Sequence, residues 1–115
     1  MNKRVGEREV VLCGEKILLR PSFENLVRAE DILGKSMVKF LDQSGEQEFY
    51  ISDYVSIIFA CQEVPEKIEK KSFNEIGSMF IAENDKSSIY VIVLGMINLV
   101  LRGDKKKEVQ EQKEQ

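Results

Sequence analysis

Residues Val10 to Ile32, VVLCGEKILLRPSFENLVRAEDI, constrain the fold more than any other stretch, because two short apolar runs meet at Cys13-Gly14 and lead directly into a capped helix. Val10–Leu12 and Ile17–Leu19 read as an antiparallel hairpin, with Gly14-Glu15-Lys16 as the turn-like break between them. Pro21 disfavours helical backbone at the residue before it, so Arg20 is expected to stay extended. Ser22 is then placed to accept a hydrogen bond from a free amide of the first helical turn. A helix is predicted from Phe23 to about Asp42: Phe23, Leu26, Val27, Leu33, Met37, Phe40 and Leu41 follow i, i+3, i+4 spacing, and Gly34 is its weak point.

Three further helices are predicted. Phe49-Tyr50-Ile51 reads as a short extended piece before Ser52, which caps a helix over 53–63, and Pro65 breaks it. Ser72-Phe73-Asn74-Glu75 has the S-x-x-E spacing of a capping box, opening a helix that carries Ile76, Met79 and Phe80. Asn84-Asp85-Lys86 reads as a turn, Ser87 or Ser88 as a cap, and 89–101, IYVIVLGMINLVL, as a helix ended by Gly103. The fold class is therefore α+β: an N-terminal β-hairpin, a small bundle of about four helices and a disordered charged C-terminal tail. Residues 1–8 are expected to be flexible, 9–102 to form one domain, and 103–115 to be a solvated tail with only Val109 apolar.

Composition narrows the function classes. A 115-residue chain that is 43% hydrophobic can build one real core, and a net charge of −3 gives no pull toward nucleic acid. The N-terminus MNKRVGERE has no apolar signal-peptide run, which points to a cytoplasmic location. The run 89–101 would span about 20 Å as a helix, short of the roughly 30 Å hydrocarbon core, so no membrane partner is expected. Cys13 and Cys61 sit in apolar surroundings and both read as buried small hydrophobes. With no histidine, no phosphate-cradling glycine loop and no metal-ligand cluster, neither a catalytic residue, a cofactor nor a metal is expected, and the chain reads as a non-enzymatic binding or assembly module.

Two constellations carry specific expectations. Glu30 falls on the apolar stripe of the first helix, where a carboxylate needs a partner, and Arg20 at the base of the hairpin is the expected one. The run 89–101 is apolar at all positions except Gly95 and Asn98, more than one face of a helix in a four-helix domain can bury. Ile89, Val93, Met96, Ile97 and Val100 are therefore expected to leave two or three side chains exposed as a partner-docking patch, for another protein or a sister subunit in a homo-oligomer.

The order of elements, with Val10, Leu12, Gly14, Leu19, Arg20, Pro21, Ser22 and Phe23 followed by Leu26, Glu30, Leu33 and Gly34, resembles a known family. It is similar over roughly residues 5–102 to the small phage and gene-transfer-agent tail proteins described as tail assembly chaperones and sometimes labelled tail tube proteins. The family often has Gly-Gly or Gly-Lys at the hairpin turn, whereas this chain has Gly14-Glu15-Lys16, and the charged tail lies outside the resemblance. The resemblance implies a phage-like (prophage or gene-transfer-agent) tail assembly chaperone that binds the tape-measure protein in the host cytoplasm while the tail tube polymerises. The alternatives are a structural tail component retained in the particle and, more remotely, an oligomeric regulatory helical module.

Overall fold

The computed structural model describes residues 7–44 and 50–102. Its elements are β1 (Arg8–Leu12), β2 (Glu15–Leu19), α1 (Phe23–Leu33), α2 (Met37–Ser44), α3 (Ile51–Cys61), β3 (Gln62–Glu63), α4 (Phe73–Ala82) and α5 (Lys86–Arg102). The class is α+β, a three-stranded antiparallel sheet in the order β1-β2-β3 combined with helices. The predictions made for residues 1–6, Phe49, Gly103 and the charged tail lie outside the described residues, and Arg8, expected in a flexible N-terminus, is the first residue of β1.

The hairpin closes on Cys13 and Gly14 alone, with Leu12 opposite Glu15, so Glu15 and Lys16 belong to β2 rather than to the turn. Both turn residues have positive φ, 54° and 82°, as the mirror-image turn that matches strand twist requires. Glycine takes this conformation freely, whereas at Cys13 it costs on the order of 1 kcal/mol. The tip is latched to the end of α4: the Cys13 amide donates to Glu83 Oε1 at 2.6 Å, and its thiol faces Met79 O at 3.4 Å. Cys13 is consequently exposed, contrary to the sequence expectation, while Cys61 is buried as expected. The Glu83 carboxyl is held below the usual carboxylate range by the amides of Asp85 and Cys13.

The long first helix of the sequence reading is two helices. Gly34 adopts left-handed backbone at φ 77° and returns its amide to Glu30 O, ending α1; Ser36 then accepts from the Lys39 amide to begin α2. The break turns the stripe: Leu26, Ala29, Met37 and Phe40 are buried, whereas Phe23 is 85% exposed and Val27 is also outside. At this corner Lys35 Nζ reaches Asp53 Oδ2 and Gln43 Oε1, each at 2.8 Å, tying the α1–α2 link to the start of α3. The Ser72–Glu75 capping box is present on α4 with both bonds formed. Two other caps differ from expectation. α3 begins at Ile51 on Tyr50 without a side-chain cap, and α5 begins at Lys86, with Asp85 rather than a serine accepting from the Ser88 amide and hydroxyl.

α3 is the central element, packed against α1, α4, α5 and β2, and its Ile57, Ile58, Ala60 and Cys61 are fully buried. α5 crosses the same core and contacts β1, α2 and α3. Ile89, Val93, Met96 and Ile97 recur at helical spacing on its inward face and are at most 1% exposed, with Val100 partly buried against them. The expected docking patch at these five positions is therefore core. The apolar excess of the run lies on the opposite face, where Val91 is 69% exposed. Replacing Ile97 by alanine should cost about 2–5 kcal/mol of unfolding free energy, whereas Val91→Asp should change it by less than about 0.5 kcal/mol. Urea denaturation of the two variants measures both, and equal destabilisation would contradict this placement of the helix.

Candidate functional site

The site grows from the way the sheet ends. Arg20 donates its backbone N–H to Cys61 O at 2.7 Å, and β2 and β3 pair Leu19 with Gln62 and Leu18 with Glu63. In an antiparallel ladder the groups facing one neighbour recur every second residue, so Arg20, Leu18 and Lys16 all present N–H and C=O toward the β3 side. Continued by two residues, the register would set Lys16 opposite Pro65, which has no N–H to donate. The ladder stops at Glu63, and the Lys16 backbone faces an open edge.

Beyond β3 the chain bends away through a turn in which Ile68 N–H donates to Pro65 O at 2.9 Å. Gln62 pins this loop. Its side chain is 1% exposed, its Nε2 donates to Lys71 O at 2.7 Å and to Phe59 O at 3.2 Å, and its Oε1 accepts from the Lys71 amide at 2.9 Å. Lys71 in turn extends Nζ to Glu15 Oε2 at 2.6 Å on β2. The resulting ring of contacts runs from the β2 edge through Gln62 to Lys71 and back to Glu15.

The ring encloses a groove of about 500 Å³. Ile17 and Leu18 line it from the strand, and Val64, Pro65 and Ile68 from the loop; Ile68 is 58% exposed. The rim is charged: Glu9, Glu15, Glu63 and Glu69 against Lys16 and Lys71. Glu15 is engaged by Lys71, and Glu63 lies 3.9 Å from Arg20. Glu9 and Glu69 form no ion pair among the described residues. The rim thus presents an acidic balance around an apolar floor.

The Arg20–Glu30 pair expected from sequence is not formed. Glu30 sits two turns along α1, about 12 Å of rise from Ser22, and its Oε2 accepts from the Met37 amide at 2.9 Å to cap α2. Arg20 points instead to Glu7 and Glu63, each at 3.9 Å. The junction of hairpin and helix is held by a residue that the apolar pattern passes over. Asn25 is 4% exposed, donates Nδ2 to Arg20 O at 2.7 Å and accepts from Arg28 Nη1 at 3.0 Å; the same nitrogen donates to Ala60 O at 3.1 Å. Burial pushes the neighbouring Cys61 thiol up to about 12, a shift that the Arg28 guanidinium opposes, which leaves Cys61 a packing group without thiolate reactivity.

Neither Gln62 nor the groove figured among the sequence-predicted site residues. The available signal was the pairing of a lone amide at the end of the apolar run 57–61 with a proline three residues later. Among the described residues no group of three or more His, Cys, Asp or Glu side chains is placed to hold a metal ion, and no helix is long and apolar enough to cross a membrane. Compared with known proteins, the chain matches no family model, no curated protein and no solved structure.

Gln62→Ala removes the groups that satisfy the Lys71 amide and carbonyl, a loss of about 1–3 kcal/mol. The loop 64–70 should then open, and trypsin should cut at Lys67 or Lys70 faster than in the parent protein under native conditions. An unchanged cleavage rate would show that the loop is held by other contacts.

Proposed function

We propose that this chain is a non-enzymatic assembly chaperone of a phage-like tail, which holds segments of the tape-measure protein during tail assembly through the groove beside β2. One observation carries the reading: an apolar groove of about 500 Å³ with a charged rim at an open strand edge, where backbone groups and apolar side chains together can hold an unfolded segment. The resemblance of residues 5–102 to tail assembly chaperones names the partner. A retained tube subunit suits the chain less well, because strands of five, five and two residues are too short to close a tube wall of paired sheets. The groove's strand edge offers few backbone bonds, which suits a holder that must release its client as the tube polymerises.

The test pairs two measurements on cells in which tails are assembling. Affinity purification of the tagged chain should recover the tape-measure protein, and mass spectrometry of purified particles should find the chain absent. Stoichiometric presence in finished particles would favour the structural-component reading, and failure to recover the tape-measure protein would overturn the chaperone reading.

A further inference from the structure

We infer that the occupant of the groove is an extended segment that adds to β2 as a short antiparallel strand at Lys16 and carries an apolar residue two positions before a lysine or arginine. The inference rests on the chaperone reading and specifies what its client segment must look like. Three features of the groove lead to it.

The first is the unfilled rung. Arg20 and Leu18 direct their backbone groups toward β3, and Lys16, two residues on, directs its own the same way beyond the end of the ladder at Glu63. An incoming strand continuing the line of β3 supplies the N–H that proline lacks and forms the missing pair of bonds. The second is what lies to either side of that rung. Toward the hairpin turn Glu15 sets a carboxylate beside the client residue that follows the one opposite Lys16, whereas toward Leu18 the line of the strand is already taken by Glu63 and Val64, so the preceding client residue leaves it over the apolar floor of Val64, Pro65 and Ile68. Read antiparallel to β2, this gives an apolar residue, any residue opposite Lys16, then a base.

The third is charge. The rim holds four carboxylates against two lysines, and Glu9 and Glu69 form no ion pair among the described residues, so a basic segment is favoured over an acidic one. A base arriving opposite Glu15 also competes with Lys71 for that carboxylate, so the contact that closes the groove in the free protein is exchanged on binding. One rung, one apolar side chain and one exchanged ion pair make each site weak, and a long client with many such segments is held by several copies through their combined affinity.

Fluorescence anisotropy with the full chain and a labelled peptide of sequence TKVTKTG tests this directly. The acidic counterpart TEVTETG, and the basic peptide N-methylated at its central threonine so that the rung cannot form, should each bind about five- to tenfold more weakly. The double variant Glu9→Lys, Glu69→Lys alters two exposed side chains, and it should lose the preference for the basic peptide while keeping its melting temperature. Equal binding of the N-methylated peptide would overturn strand addition, and equal binding of the acidic peptide would overturn the basic client. Concentration-dependent dimerisation that the peptide does not displace would assign the edge to a second copy instead. Recovery of the tape-measure protein from assembling cells by the double variant as efficiently as by the parent would sink this inference and leave the chaperone reading standing; if neither protein recovers it, the chaperone reading itself has failed.

Discussion

The groove beside β2 depends on the buried carboxamide of Gln62. A primary amide placed at the end of the core helix α3 and closed off from water must find partners for both its nitrogen and its oxygen, or cost the fold a desolvated polar group. It finds them in Phe59 O and in both backbone groups of Lys71. Satisfying one side chain therefore dictates the course of the loop, since Lys71 has to return to the sheet for the bonds to exist. Once it has returned, its own Nζ lies within reach of Glu15, and the groove has two walls.

The edge of β2 is the other half of the same construction. Open strand edges invite indiscriminate pairing, and proteins commonly blunt them with short strands, lysines and prolines. Here Pro65 ends β3 after two residues, Lys16 stands on the exposed edge, and the loop shields it from one side. These devices leave a single unfilled rung in a recess with an acidic rim. A recess of that kind discriminates by side chain and charge, which a bare edge does not.

The sequence was legible where one local rule decided the outcome. The hairpin, the serine cap after Pro21 and the capping box at Ser72 rest on neighbouring residues alone and are present in the fold. It misled where two rules competed or where distance mattered. Gly34 and the apolar stripe across it were compatible with one helix or two, and the glycine's left-handed turn prevailed because Glu30 and Ser36 supply caps on its far side. The number of apolar positions in α5 points to an exposed patch, but periodicity groups the residues expected to dock a partner on one face, and that face is the one the core takes. Gln62 and Lys71 form a site only when β3, a two-residue strand with no pattern of its own, is laid beside β2, so the lone amide and the proline after it are the whole of their sequence signal.

If a client strand completes the rung left open at Lys16, the change falls on a single backbone amide. Residue-resolved hydrogen exchange of the Lys16 amide, with and without saturating basic peptide, tests it most directly. Lys16 is expected to exchange near the unprotected rate in the free protein while Ile17, paired toward β1, and Leu18, paired toward β3, are protected, and peptide should slow Lys16 by about tenfold or more. Protection of Lys16 equal to that of Leu18 in the free protein, or no change on adding peptide, would contradict it.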